Sequence, residues 1–104
     1  MQYREYAIKA IESIFKLYGQ MASVIYEDNS TSNITIIHRL PDKINEAWDS
    51  NINSSTNIFE IRKSDIDESK VIKQISLNEK DYLIQGEPIL DKYGLILRFE
   101  AYEN

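Results

Sequence analysis

The C-terminal half of the chain, residues 58–102, is a succession of short apolar–polar alternations separated by polar turns. The alternation runs through residues 58–61, 71–77, 82–84 and 95–102, and a period of two is typical of strands that bury one face. Residues 62–66 break the first strand, and residues 86–94, which contain Gly86, Pro88 and Gly94, turn the chain into the last one. Short strands that follow one another so closely predict an antiparallel meander.

The N-terminal segment, residues 1–19, is predicted to be a helix. Arg4, Glu5, Lys9, Glu12 and Lys16 are its charged positions, and Gly19 stands where a helix commonly ends. Apolar side chains recur at three- and four-residue spacing and form one stripe: Tyr3, Ala7, Ala10, Ile11, Ile14, Leu17 and Tyr18. Residues 21–27 and 33–40 then alternate as strands around a polar turn, which predicts a hairpin over residues 20–40.

Residues 41–57 form a long polar connection with few apolar side chains. Ile44, Ala47 and Trp48 have helical spacing, so one short helix could form there, and the remainder, which includes Ile52, has the composition of a loop. Loops of this length in compact domains are usually functional or disordered. Trp48 is the only tryptophan; it is either an interface anchor or a plug at one end of the sheet.

Together these segments predict one domain over residues 1–104. Its fold class is mainly β with an N-terminal helix (α+β), built as a small antiparallel barrel or sandwich of six or seven strands. The four parts are the helix at 1–19, the hairpin at 20–40, the long loop at 41–57 and the strand meander at 58–104. A chain of 104 residues can bury a modest core without disulfides.

Composition excludes several functions. The net charge of −5 argues against specific nucleic-acid binding, which needs clustered Lys and Arg. The chain has no cysteine and no apolar run of about 18 residues, and its charged start lacks a signal peptide's apolar core, so we expect no membrane contact and a cytoplasmic location. Its three glycines form no phosphate-binding loop, and His38 is its only histidine. We therefore expect no enzymatic activity, catalytic residue, cofactor or metal.

The order of elements resembles that of the head–tail joining proteins of long-tailed bacteriophages, the lambda-type tail-attachment family. The resemblance is carried by residues 58–66 (IFEIRKSDI), 75–77 (ISL), 82–84 (YLI), 86–88 (GEP) and 91–95 (DKYGL). It covers the C-terminal half well and the N-terminal half in layout. One departure lies before the strand at 74–77, where relatives often have a Gly-Asp turn and this chain has Ile72-Lys73.

The resemblance implies a structural adaptor that joins phage head and tail during virion assembly. Its expected partners are portal or head-completion proteins and tail proteins, with several copies forming a ring, first in the host cytoplasm and then in the virion. We expect docking residues in the long loop, at Ile44, Trp48 and Ile52, and on the helix, at Tyr3 and Tyr6. A tail-terminator protein and a cellular protein–protein interaction module of small β-barrel type are alternatives, and a third is a hydrolase or ligand-binding barrel that uses His38.

Overall fold

The computed structural model describes residues 3–40 and 56–104. The predicted docking residues Ile44, Trp48 and Ile52 lie outside the described residues. The helix α1 and the strands β1 to β6 follow in chain order, with one short 3-10 helix between β3 and β4: α1 Tyr3–Tyr18, β1 Gln20–Tyr26, β2 Thr31–Arg39, β3 Thr56–Arg62, the 3-10 turn Lys63–Asp65, β4 Ile72–Leu77, β5 Lys80–Leu90 and β6 Ile96–Glu103.

The six described strands close into an antiparallel barrel in the order β1-β2-β3-β6-β5-β4. The predicted hairpin is present, since Gln20 pairs with Ile36 and Ile25 with Thr31. Closure is made by β1 and β4, which pair from Ser23 with Ser76 onward. The fold-class prediction is confirmed, and of its two forms the barrel is the one observed.

The core fills the barrel with side chains that alternate along each strand. On β1 the side chains that point into the barrel are Ala22, Val24 and Tyr26. The other strands contribute mainly branched and aromatic side chains, which suit a pleated surface: Ile34, Ile36, Phe59, Ile61, Ile72, Ile75, Leu77, Tyr82, Phe99 and Ala101.

His38 ends the inward-facing row of β2 and helps to close one end of the barrel. Its ring stacks on Phe59 with 4.6 Å between centroids, and Tyr82 lies 5.5 Å away. Its Nε2 lies 2.8 Å from the side-chain oxygen of Asn57. Aromatic stacking and an amide partner make His38 a packed, hydrogen-bonded residue at the barrel end.

Strand β5 is much longer than the sequence predicted. We expected residues 86–94 to form the turn into the last strand, and that prediction is wrong for residues 86–90, which continue β5 to Leu90. The pairing shifts between Gln85 and Ile89, so a bulge at Gly86 (φ +75°) interrupts the strand without ending it. The turn itself begins at Asp91, whose carboxylate accepts the N–H groups of Leu95 at 2.7 Å and Ile96 at 3.0 Å.

Helix α1 lies on the outer face of the barrel against β2, and its Phe15 contacts Arg62 at the end of β3. Within the described chain Phe15 is its one buried side chain, and the guanidinium of Arg62 lies 4.9 Å from the centre of its ring. At the helix end Gly19 approaches Thr35 so closely that a Cβ would collide with that side chain and with the Phe15 carbonyl. The glycine is therefore required by this close approach, and its φ is not in the left-handed region.

Candidate interaction surfaces

Most of the apolar stripe of α1 faces solvent. Ala7, Ile11 and Phe15 form the side of the helix turned towards the barrel, and the stripe continues round the helix beyond it. Tyr3 is 84% exposed and Leu17 75%. We call this open side of the helix the α1 flank and define it by residues at three- and four-residue spacing: Tyr3, Tyr6, Ala10, Ile14 and Leu17. An exposed apolar row along a whole helix is typical of a protein-binding surface.

The N-terminal half of the α1 flank, at Tyr3, Tyr6 and Ala10, forms one wall of a groove on the barrel surface. Facing it are Tyr93 and Ile96, at the turn between β5 and β6, and the concavity between them measures about 460 Å³. Arg4 donates a hydrogen bond from its guanidinium to the Tyr93 carbonyl at 3.1 Å, which ties the helix N-terminus to that turn. Both Tyr3 and Tyr6, predicted as docking residues from the sequence, line this groove.

A second, smaller concavity of about 180 Å³ extends the groove across the barrel. It shares Asp91 and Ile96 with the first one, and it adds Ile89, Leu90, Arg98 and Glu60. We call the two together the α1 groove. Its floor is the outer face of the first part of β6, at Ile96 and Arg98, and its far wall is the last part of β5 with the turn that follows.

Two arginines bracket a glutamate at the inner end of the α1 groove. Glu60 is 9% exposed, and its two carboxylate oxygens accept from Arg39 Nε at 2.6 Å and from Arg98 at 3.2 Å. The two arginine side chains are themselves 56% and 53% exposed. The exposed part of this cluster is therefore arginine, while Asp91, the other carboxylate that lines the groove, accepts the backbone N–H groups of Leu95 and Ile96.

A separate opening lies at the barrel end that carries the β3–β4 and β5–β6 connections. It measures about 430 Å³ and has an apolar floor that includes Ile66, Ile84 and Leu97, under a rim with Lys63 and Glu87. The pairing of β5 with β4 stops at Leu83, so the last part of β5 borders this opening. Gly86 and Pro88 form the bulge there, and bulges and prolines are devices that blunt a strand edge.

Two similar turns stand beside this opening. Asp28 accepts the backbone and hydroxyl groups of Ser30, and Asp67 accepts those of Ser69. Lys70 joins the two turns, with its ammonium 3.2 Å from Asp28 and 2.9 Å from the Ser30 hydroxyl. The hydrogen bonds from Ser30, and then Lys70, lower the pKa of Asp28 to about 2, and the bonds from Ser69 lower the pKa of Asp67.

Among the described residues no group of three His, Asp or Glu side chains is placed to hold a metal ion. The hydrogen-bond partner of the His38 ring is an amide, whereas a catalytic histidine needs a nucleophile or a carboxylate at that place. No helix within residues 3–40 and 56–104 has the length and hydropathy to cross a membrane.

A family model described as Phage Head-Tail Attachment protein matches residues 9–101. The chain belongs to the phage head–tail attachment family. The matched part begins in α1, includes β1 to β5 and ends within β6, so the resemblance found in the C-terminal half extends over most of the chain. Searches of curated proteins and of solved structures gave no match.

Membership of the head–tail attachment family makes the protein a phage structural protein with a role in head–tail joining and a component of the virion. It also favours the phage interpretation over the cellular module and over an enzyme that uses His38. The sequence did not reveal the groove, since Ile89, Tyr93 and Arg98 come together with α1 only through the pairing of β5 with β6. The sequence feature that could have indicated a binding surface is the apolar stripe of the helix, which is wider than packing against the barrel alone requires.

Proposed function

We propose that the protein acts as an adaptor between the completed vertex of the phage head and the tail, docking through the α1 flank and through the loop around Trp48. The observation that carries this proposal is the exposed apolar row on α1, in which Tyr3 is 84% and Tyr6 60% exposed. Tyrosine and tryptophan dominate binding energy at many interfaces because they bury large areas at low entropic cost.

The closed barrel supports an adaptor of this kind. Each described strand pairs on both sides for at least part of its length, so few strand edges are free to pair with a partner. Partners would therefore contact the helix, the turns and the connecting loops. Portal or head-completion proteins on one side and tail proteins on the other are the proposed partners. Several copies would form a ring through heterologous contacts that close by rotation.

The net negative charge of the chain is compatible with a position between head and tail, where DNA must pass. A ring of subunits with a net charge of −5 each would repel DNA, so DNA could pass without binding. We therefore propose no specific nucleic-acid binding. The protein would join the particle in the host cytoplasm and remain in the virion.

An in vitro joining assay tests the proposal. Filled heads and tails are prepared from a phage that lacks this gene, mixed with purified protein, and joined particles are counted by electron microscopy. We expect joining to require the protein; equal joining in its absence would overturn the proposal. Sedimentation with heads alone or with tails alone separates the two positions, because an adaptor of the head vertex binds heads and a tail terminator binds tails.

Variants in the same assay test the docking residues. The double variant Tyr3→Ala/Tyr6→Ala should lower joining roughly tenfold or more, as loss of interface tyrosines typically does. Tyr102→Ala removes a tyrosine that is 42% exposed on β6 and should leave joining unchanged. Trp48→Ala should weaken docking as well, and unchanged joining would remove Trp48 from the proposed surface.

A further inference from the structure

We propose that the α1 groove binds an amphipathic helix of the phage protein on which this one docks, with an acidic side chain of that helix against Arg98 and Arg39. The proposal rests on the function proposed above and names the chemistry of the partner. Three features of the described residues carry it: the shape of the groove, the pairing of its floor and the charge at its inner end.

The shape fits a second helix beside α1. The α1 flank presents side chains at positions 3, 6, 10, 14 and 17, and such rows form the ridges that pack against a neighbouring helix. The α1 residues that line the groove run from Tyr3 to Ile11, about 13 Å of helix, so this wall has room for about two turns of a partner. The floor is the outer face of a sheet, and helices laid side by side on a sheet are a standard layer arrangement.

The pairing of the floor excludes the addition of a strand there. Strand β6 pairs with β3 from Ile96 to Tyr102, and with β5 on its other side. The floor therefore offers side chains and no free backbone edge on which another strand could pair. The part of β5 that has lost its β4 neighbour borders the opening at the barrel end, and its bulge and proline disfavour strand addition there.

The charge at the inner end of the groove indicates an acidic partner. Arg39 and Arg98 share one carboxylate, Glu60, and each keeps more than half of its side chain exposed. Arginine offers a fork of donors that suits a carboxylate, so a partner Asp or Glu can bind there without displacing Glu60. Ile89 and Ile96 line the groove together with Arg98 and provide apolar contact beside that ion pair.

The α1 helix of a second copy fits this site poorly. Its carboxylates, Glu5 and Glu12, lie on the side of the helix opposite to the α1 flank. A second α1 that buried its flank in the groove would therefore turn its acids away from Arg98. The partner helix must carry its acid on its own apolar side.

Matched substitutions of Ile89 test both shape and charge. Ile89 is 63% exposed, so its replacement should leave the fold intact, which thermal unfolding checks. Binding is measured by co-sedimentation of the full chain with whichever isolated particle, filled heads or tails, the wild type binds. Ile89→Asp should weaken binding about tenfold or more, because it repels the partner's acid and competes for Arg98; Ile89→Lys should weaken it less, by about threefold.

Val71→Asp is the control, since Val71 is 61% exposed at the barrel opening outside the groove, and its binding should equal that of the wild type. Equal losses for Ile89→Asp and Ile89→Lys would overturn the acidic partner, and wild-type binding by both would overturn the groove. Absence of binding by the wild type would instead overturn the function proposed above, so the two failures are distinguishable.

Photo-crosslinking identifies the occupant directly. A photoreactive phenylalanine analogue is placed at position 6 or position 89, on opposite walls of the α1 groove, and the bound particle is irradiated. We expect crosslinks to one segment of a head or tail protein, three or four residues apart and next to an Asp or Glu. Crosslinks two residues apart, crosslinks to a second copy, or none from the bound protein would overturn the proposal.

Discussion

Replacing Phe15 by alanine removes the side chain that holds α1 on the barrel. Phe15 is 1% exposed, its ring packs under the Arg62 guanidinium, and Ala7 and Ile11 are only partly buried on the same side of the helix. Truncation of a buried phenylalanine costs about 3–5 kcal/mol, and the lost cation–π contact is included in that range at about 1 kcal/mol. Because the α1 interface is shallow, we expect about 3 kcal/mol, towards the lower end.

The substitution should destabilise the helix and leave the barrel folded. The core cluster of the barrel contains no α1 residue, and an isolated helix of this length is marginal in water. Phe15→Ala should therefore release and unfold α1 while the six strands stay paired. Hydrogen exchange should show faster exchange of the α1 amides, with their opening free energy lowered by about 3 kcal/mol, and unchanged protection in β3 and β6.

Leu17→Ala is the matched control, since Leu17 is 75% exposed on the same helix. It should change the opening free energy of α1 by less than about 0.5 kcal/mol. If Phe15→Ala changed α1 exchange no more than Leu17→Ala does, the interpretation of Phe15 as the anchor of the helix would be refuted.

Three further predictions concern stability and are measured by thermal or urea unfolding. Gly19→Ala should destabilise the protein by about 2 kcal/mol or more, because its Cβ meets backbone and Thr35, whereas Gly94→Ala, at φ +72° in open space, should cost only about 1 kcal/mol; equal costs would refute the close-approach argument. Glu60→Ala should cost about 1.5–3 kcal/mol, because it removes charge-assisted hydrogen bonds to two arginines, and a loss below about 0.5 kcal/mol would show that the ion pairs are fully replaced by solvent. Hydrogen bonds from Ser30, and then Lys70, lower the pKa of Asp28 from its ordinary value of 3.8 to about 2, so its carboxylate stabilises the fold above about pH 4 and that contribution disappears as the pH falls through 2. Asp28→Asn should lower the melting temperature at pH 5 and match the wild type near pH 2, and a constant difference across that range would contradict the assignment.

The barrel was predictable because apolar and polar side chains alternate along almost every strand. Alternation in residues 21–27, 33–40 and 58–61 gave the right elements within two residues, since each strand buries one face in the same core. The alternation of β5 fails after Ile84, where the strand leaves the barrel wall and both faces become accessible. Residues 85–90 bury neither face, so they show no alternation of apolar and polar side chains. A strand of this kind that contains Gly86 and Pro88 cannot be distinguished from a turn by its sequence.

The helix shows the converse limit. Its stripe predicted an amphipathic helix, which α1 is, but the stripe does not include Phe15, the side chain that packs deepest. The spacing of apolar residues predicts which side of a helix is apolar. It does not predict which part of that side packs against another element. The α1 flank became recognisable as a surface only when the position of α1 against β2 was known.

Hydrogen exchange of the protein bound to isolated filled heads, compared with the free protein, tests the central claim most directly. We expect binding to slow exchange in α1 and in the turn at residues 91–95, while exchange in β1 and β4, on the opposite side of the barrel, stays unchanged. Protection confined to β1 and β4, with α1 exchanging as fast as in the free protein, would contradict docking through this face.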